Sequence, residues 1–290
     1  MGHFFILKQG NLTLVKKISA MKKFVLLLLF GAVVIGTGSG FQRIKPMQKF
    51  MKKEGFVFVP SGTVTIQGKP TTIQSFFMLA GEVTNKQYNA FLSDLQQQGK
   101  TAEYEIAKIV PEKWKLDNAS MENMVKLYHV HESFTNYPVV NISQEGARLY
   151  CKWFEEKYNA AGYQVKVRLP LDAEWQYAAK GGNDNNIYAW SGSELRSSKG
   201  LYLANFKTEK VSDDGGYFTA ITKSYNPNDY GLYNMCGNVS EWTSDDAMSK
   251  GGSWWSDPKY LKIDAPQEFG NSLQASPFIG FRPVITVTMN

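Results

Sequence analysis

The order of apolar and polar positions predicts a chain with helices in its first half and irregular structure in its second. Apolar residues alternate with small and polar ones through FVFVPSGTVTIQG, residues 56–68. We interpret this stretch as a β-hairpin that turns at Pro60-Ser61-Gly62, because Pro and Gly mark turns between alternating strands. A further strand is expected in SFFMLAGEVT, which follows shortly after.

Three segments are predicted to be helices, and the first two have apolar residues at helical spacing. Thr84 is the predicted cap of the first, TNKQYNAFLSDLQQQG, which ends at Gly99. Ser143 is the predicted cap of the second, SQEGARLYCKWFEEKYNAAG, which ends at Gly162. The third, DAEWQYAAKGG, begins at Asp172, and a short strand, VKVRLP, precedes it.

The remaining segments contain few patterns of helical length. Residues 101–135 are polar, and only a short helix near 121–127 is indicated. From about residue 183 the chain is rich in Gly, Asn, Asp, Ser and aromatic residues, until a last strand near 281–287. Long ordered loops are uncommon and usually carry function or metal. We therefore predict one domain over residues 55–287, preceded by a basic linker at 41–54.

The positive charge of the chain lies mostly outside this domain. The formal net charge is +6, from 32 basic and 26 acidic residues. Residues 1–40 hold five lysines and no acid, which leaves 27 basic residues against 26 acidic ones. A domain so close to neutral gives no reason to expect nucleic-acid binding. The hydrophobic fraction, 43%, is that of a folded chain rather than a disordered one.

A secretory signal is predicted near the N-terminus. From Met21 the sequence reads MKKFVLLLLFGAVVIGTGSGF, in which two lysines precede an apolar run and small residues follow it. The run is shorter than the roughly 20 residues of a membrane span, so a cleaved signal is favoured over an uncleaved anchor. We expect Met21 to be the start, residues 1–40 to comprise an extension and the signal, and the protein to be exported to the periplasm or cell envelope. Membrane contact is expected only through this segment, because no Cys follows it for lipid attachment.

Several segments in a fixed order carry a family resemblance: FVFVPSGTVTIQG, GEVTNKQYNAFL, YPVVNISQEGARLYCKWF, VRLPLDAEWQYAAKGG, IYAWSG, LANF, YGLYNMCGNVSEWTSD, KGGSWWS and IGFRPV. Together they resemble the formylglycine-generating enzyme family, also called the sulfatase-modifying factor domain, over nearly all of residues 55–287. The resemblance implies an α+β fold of the C-type-lectin-like type with much irregular loop structure. Within the family, the chain is most similar to gliding-motility and secretion lipoproteins of the GldK and GldJ type, although it lacks their lipidation Cys.

The resemblance implies copper oxidase chemistry that this chain does not retain. Family enzymes oxidise a cysteine of a sulfatase to formylglycine with two active-site cysteines, whose thiolates suit Cu(I) because both are soft. Those two positions fall on Ser256 and Leu261, within KGGSWWSDPKYL. A hydroxyl is a poor ligand for Cu(I), and leucine is no ligand. We therefore expect no copper and predict no catalytic residue.

The cysteines and histidines of the domain are interpreted as structural. Cys151 lies in a predicted helix and Cys236 in a loop, and two buried thiols are favoured over one disulfide. His129 and His131 form an H-x-H pair that could ligate a metal, but no third ligand is evident in the sequence. Two solvent-facing loop histidines are therefore the favoured interpretation.

The resemblance also implies structural calcium, which takes six to eight oxygens from carboxylates, amides and backbone carbonyls. The first implied site comprises Asn234, Gly237, Val239 and Glu241. The second comprises Asn205, Phe206, Asp214 and Gly216, with Asp213 as an alternative to Asp214. The other interpretation is that these side chains hydrogen-bond the loops directly, without a metal.

The strand around KGGSW and the loop after it form the binding face that the resemblance implies. Aromatic residues at this density are typical of recognition surfaces. The candidate ligand-binding residues are Trp255, Ser256, Tyr260 and Phe269. Trp175, Trp190, Trp242 and Trp254 are expected to pack in the core or against loops. Arg282, in IGFR, is expected to pair with an internal carboxylate.

Two hypotheses of function follow. The first is an exported, non-catalytic binding or assembly module of the cell envelope, of the gliding-motility or secretion type, with an envelope or secreted protein as its partner. The second is an oxidoreductase-type family enzyme with an altered active site that acts on a peptide or a small molecule. The second rests on the fold alone, and a fold does not fix function.

Overall fold

The structure, a computed structural model, describes residues 49–116, 121–210, 213–269 and 274–287. The chain divides into two units, residues 1–45 and residues 46–290, and the described residues all belong to the second. The predicted signal segment lies outside the described residues. None of the helices in the described ranges is both long enough and apolar enough to cross a bilayer.

The largest sheet joins strands that are far apart in the sequence. Its order is β1 (Phe56–Val59), β4 (Phe76–Leu79), β9 (Val284–Val287) and β5 (Val165–Arg168), and every pairing is antiparallel. The predicted strands at VKVRLP and at the C-terminal end of the domain are thereby confirmed. The sheet brings both ends of the domain together at its centre.

The predicted hairpin around Pro60-Ser61-Gly62 is wrong. Strand β1 pairs with β4, and the hairpin is formed instead by β2 (Gly62–Ile66) and β3 (Lys69–Ile73). Its two turn residues, Gln67 and Gly68, have φ values of 48° and 76°. A two-residue turn with positive φ at both positions matches the twist of the flanking strands, and Pro60 cannot adopt that conformation.

The three predicted helices are confirmed. Helix α1 (Asn85–Gln97) begins at Thr84, whose hydroxyl accepts a hydrogen bond from the Gln87 amide at 3.2 Å while the Gln87 side chain accepts one from the Thr84 amide. Helix α4 (Gln144–Ala160) is capped by Ser143, and α5 (Asp172–Ala179) follows β5. Helices α1 and α4 each bury an apolar face, which explains their spacing, whereas residues 174–179 of α5 are all buried.

The segment 101–135 is more regular than its polarity indicates. The short helix α3 (Glu122–Leu127) is confirmed, but α2 (Thr101–Ala107) was not predicted. Helix α2 has no side-chain cap, and Ala107 is its only buried residue. The Tyr88 hydroxyl donates to the Ala107 carbonyl at 2.8 Å, so a contact from α1 helps to hold a segment whose own signals are weak.

Strand β4 lies between two apolar clusters. Phe77 and Leu79 pack with α1 and α4, whereas Phe76 and Met78 pack on the other side with Trp175 of α5. All four strand residues are buried. Because side chains alternate between the faces of a strand, the continuous apolar run FFML indicates a sheet covered on both sides.

The second half of the domain is irregular, as predicted. Among the described residues between Ala179 and Ser240 there is no helix and no strand. A small sheet then joins β6 (Ser240–Trp242) to β7 (Ser249–Lys250) and β8 (Ile279–Gly280). This sheet pairs Glu241 with Lys250, the first residue of the KGGSWW segment.

The histidine prediction is wrong for one of the two residues. His131 is exposed, but His129 is buried. Its Nδ1 lies 3.0 Å from Asn85 Oδ1 and its Nε2 lies 3.3 Å from Asn141 Nδ2. Burial lowers the pKa of His129 to about 3, so the ring is neutral and both nitrogens are engaged within the protein. This arrangement leaves no ring nitrogen of His129 for a metal.

Candidate functional site

The two positions of the implied active-site cysteines are completely buried. Ser256 Oγ accepts a hydrogen bond from the Ser253 amide at 2.7 Å, and its hydroxyl donates to Glu268. Leu261 lies in the same apolar cluster as Trp175. Burial raises the pKa of Glu268, although its hydrogen bond from Ser256 favours the ionised form. A serine hydroxyl, a carboxylate and a leucine provide no soft ligand for Cu(I).

Three aromatic rings form a strip beside this buried cluster. Trp255 is 48% exposed and stacks on Phe278, with ring centroids 6.3 Å apart. Phe278 in turn stacks on Phe269 at 5.2 Å, with the rings nearly parallel. We call Trp255, Phe278 and Phe269 the aromatic strip. Phe278 was not predicted, because the sequence gives no sign that it would lie against Trp255.

The other predicted members of the binding face differ in accessibility. Tyr260 is half-buried, and Lys259 Nζ lies 4.8 Å from its ring. Ser256 has no exposed surface and its hydroxyl is already bonded to Glu268, so a ligand on this face would meet the aromatic side chains instead. Trp254 is buried, as expected, and its indole N–H donates to the Pro277 carbonyl at 3.1 Å.

Arg282 and Glu241 form a fully buried ion pair. Arg282 binds Glu241 through two hydrogen bonds, of 2.7 Å from Nε and 2.5 Å from Nη2. Its remaining N–H groups donate to the carbonyls of Leu79, Ala80 and Tyr233. The indole of Trp175 also donates to Glu241, at 2.9 Å. The prediction that Arg282 pairs with an internal carboxylate is confirmed.

The residues of the first implied calcium site lie in the loop that leads to Glu241. Asn234, Gly237 and Asn238 all have positive φ, so backbone turns sharply there. Asn234 Oδ1 is buried without a hydrogen-bond partner, and within the described ranges no N–H group donates to the carbonyls of Gly237 or Val239. These unsatisfied oxygens are the kind of ligand that calcium takes. Glu241 is the member already engaged, by Arg282.

A second buried carboxylate, Glu82, lies beside this loop and was missed by sequence reasoning. It accepts hydrogen bonds from Asn238 at 2.7 Å and from Asn234 at 3.2 Å. Burial raises the pKa of Glu82 to about 8, against the attraction of Arg282 and with the repulsion of Glu241. Two carboxylates around a single guanidinium leave one negative charge uncompensated when both are ionised. A bound cation would supply that charge.

The second implied calcium site is organised around Asp214. Its carboxylate accepts hydrogen bonds from the amides of Phe206, at 2.7 Å, and Gly216, at 3.1 Å. Burial raises the pKa of Asp214. The alternative ligand Asp213 is exposed and pairs with Arg196 at 3.0 Å, which favours Asp214.

The two implied sites are joined by hydrogen bonds between Asn205 of the second site and Asn238, which lies between Gly237 and Val239 of the first. The Asn205 side chain donates to Asn238 Oδ1 at 3.2 Å, and the backbone N–H of Asn238 donates to the backbone carbonyl of Asn205 at 2.8 Å. In the part of the chain that the structure describes, no group of three or more His, Cys, Asp or Glu side chains could hold a metal ion. Any calcium would therefore rely mainly on amide and backbone oxygens.

Both cysteines are free and buried, as predicted. Burial raises the pKa of Cys236 to about 12, and it raises the pKa of Cys151 as well. The thiolate is the form that reacts and binds metal, so neither residue replaces the missing active-site thiols.

Comparison with known proteins identifies the family. The family model described as "Sulfatase-modifying factor enzyme 1-like domain" matches residues 40–287. The chain therefore belongs to this family, and its α+β fold agrees with that membership. The subgroup of gliding-motility lipoproteins stays a prediction.

Two relatives differ in what their names say about activity. The chain is 39% identical over 126 residues to the formylglycine-generating enzyme of Mus musculus, a match that covers 42% of this chain and only 28% of that enzyme. It is 26% identical over 222 residues to the inactive C-alpha-formylglycine-generating enzyme 2 of Mus musculus, covering 67% of this chain and 66% of the relative.

A solved structure has the same fold. PvdO from Pseudomonas aeruginosa aligns with a TM-score of 0.57 and 20% identity, covering 80% of this chain and 94% of PvdO. At that identity the likeness shows the fold alone.

Proposed function

We propose that this chain is an exported, non-catalytic binding or assembly module of the cell envelope, whose partner is an envelope or secreted protein. The observation that carries the proposal is the replacement of both active-site thiols by Ser256 and Leu261, each completely buried. The inactive relative is a precedent for a family member without the oxidase activity. Support for export is the signal-like sequence that begins at Met21.

The aromatic strip is the proposed contact surface. Trp255 has a large apolar ring, and Lys207 Nζ lies over it at 5.9 Å from the ring centroid. Lys207 also lies 3.6 Å from Asp257, so the charges at this edge are paired. Partly exposed aromatic anchors surrounded by polar groups are typical of protein recognition sites.

Structural calcium is proposed to hold the loops that support this surface. Asn234, Gly237, Val239 and Glu241 would hold the first ion, and Asn205, Phe206, Asp214 and Gly216 the second. The support for the first ion is the unsatisfied Asn234 Oδ1 and the burial of two carboxyl groups, Glu82 and Glu241, near a single guanidinium. A cation would bind the Asn234 oxygen, favour the ionised form of Glu82 and join irregular segments that few ladder hydrogen bonds stabilise.

Copper binding and turnover test the absence of catalysis. We expect the full chain to compete poorly for Cu(I) in an anaerobic titration against a chromogenic chelator, because no thiolate is available. We also expect no formylglycine from a cysteine-containing sulfatase peptide. The mouse formylglycine-generating enzyme serves as the active control. One tightly bound copper per chain, or aldehyde in the peptide, would favour the second hypothesis, an enzyme with an altered site.

Site-specific photo-crosslinking in the native cell tests the contact surface. A crosslinking residue at Trp255 is expected to give one discrete adduct with an exported protein, because this side chain is exposed within the strip. The matched control is Val130, which is 78% exposed but lies outside the strip. An equal pattern of adducts at both positions would contradict recognition by the aromatic strip.

A further inference from the structure

A cavity beside helix α5 is lined by residues other than those of the aromatic strip. It is a cavity of about 610 Å³, formed by the β2–β3 turn, helix α5 and the loops around residues 184–187 and 263–267. None of the three strip residues lines it. A smaller cleft of about 160 Å³ shares one lining residue, Asn186, with this cavity. We call the larger cavity and this cleft together the α5 groove.

The lysines of the α5 groove already have partners within the protein. Lys250 is buried, donates to the Ala265 carbonyl at 2.9 Å and lies 3.7 Å from the Asp172 carboxylate. Lys180 lies 3.4 Å from the Asp184 carboxylate and also donates to backbone carbonyls of the same loop. Because each ammonium has its own counter-charge, the groove does not favour an anionic ligand such as a phosphate.

Several other polar side chains of the groove remain available. Among the residues that the structure describes, the side chains of Gln67, Asn185 and Asp264 accept and donate no hydrogen bond within the protein. Gln176 uses only its Nε2, which donates to Asp172 at 2.9 Å. An amide offers both a donor and an acceptor, and a carboxylate offers acceptors. A hydroxyl group, which donates and accepts, complements this set.

Apolar surface lies beside these polar groups. Ile187 is 41% exposed and lines the larger cavity. Trp190 lines the smaller cleft, and its ring stacks on Tyr188 with centroids 4.9 Å apart and an interplanar angle of 10°. Aliphatic and aromatic side chains of this kind can pack against the C–H faces of a sugar ring, while the amides and carboxylates bind its hydroxyls.

We propose that the α5 groove binds a neutral saccharide. The larger cavity, of about 610 Å³, is within the range of small-ligand sites, about 300–1,000 Å³. The paired lysines disfavour an anionic ligand, and the available amides and the Asp264 carboxylate can bind hydroxyl groups. This site goes beyond the proposed protein contact at the aromatic strip, since it uses different residues.

Saturation-transfer difference NMR on the full chain tests the saccharide site. The probes are maltotriose, cellotriose and chitotriose as neutral trisaccharides, with trigalacturonate and spermidine as charged comparisons. We expect transfer to at least one neutral trisaccharide and less to either charged probe. The Asn185→Ala and Asp264→Ala variants are each expected to weaken that binding about fivefold, the effect of one lost hydrogen bond. Both residues are exposed, so both variants are expected to fold.

The matched control is Gln96→Ala, which removes an exposed amide on α1 outside the groove. It is expected to bind the trisaccharide as the unmodified chain does. The proposal is overturned by a lack of transfer to all three neutral probes, by tighter binding of a charged probe, or by groove variants that bind as well as Gln96→Ala. Because the readout does not involve Trp255, its failure is independent of the crosslinking result.

Discussion

Replacing Arg282 with methionine is expected to lower the free energy of unfolding by about 3–5 kcal/mol. The substitution leaves Glu241 buried without its two charge-assisted hydrogen bonds, and it also removes the donors to Leu79, Ala80 and Tyr233. A methionine fills most of the volume, so the loss reflects the unpaired charge rather than a cavity. Urea unfolding followed by tryptophan fluorescence measures the change.

The matched control for Arg282 is Arg148→Ala. Arg148 also forms a short ion pair, at 2.7 Å to Asp246, but the two side chains are 34% and 85% exposed. Exposed pairs contribute about 1 kcal/mol or less, so this variant should be nearly as stable as the unmodified chain. Adding Glu241→Gln to Arg282→Met removes the unpaired charge and should recover part of the loss. Equal effects of the two single arginine substitutions would show that burial does not govern the Arg282–Glu241 pair.

The helices could be predicted because their signals are local. Thr84 and Ser143 cap helices with side chains that reach amides three residues along the chain, and the apolar spacing of each helix is contained within it. Strand pairing depends on segments that are distant in the sequence, so it was harder to predict from local patterns. Nothing near Val59 indicates that β1 pairs with β4 rather than with β2, because the choice is made by the sheet as a whole.

The family resemblance led to part of the candidate site. The residues that it missed are buried by contacts with distant segments of the chain. The resemblance led to Asn234, Glu241 and Arg282, and the structure brings these residues into one buried cluster with Glu82. Glu82 is a single acid at the end of an apolar strand, and its burial depends on a loop more than 150 residues away. The Ser256–Glu268 hydrogen bond was missed for the same reason, since Glu268 lies in a loop without periodicity.

Calcium is expected to raise the stability of the chelator-treated protein, and this effect is the second large one. A ligand present at 100 times its dissociation constant adds about 2.7 kcal/mol to the free energy of unfolding. For a domain of this size, such a gain raises the melting temperature by roughly 5–10 °C. Differential scanning calorimetry with and without calcium measures the shift, and mass spectrometry of metals should find two calcium ions per chain.

Substitutions distinguish bound calcium from a general salt effect. Asn234→Ala is expected to reduce the calcium-induced shift because it removes the buried Oδ1 that has no other partner. Asn159→Ala is the matched control, since its amide also bonds the backbone, at Val165, but lies far from the implied site in the sequence. Asp214→Asn should reduce the calcium content from two ions to one. An equal shift with magnesium, which requires six ligands at shorter distances, would contradict a site built from amide and carbonyl oxygens. A calcium-induced shift that survives Asn234→Ala unchanged would contradict a calcium ion held by Asn234 Oδ1.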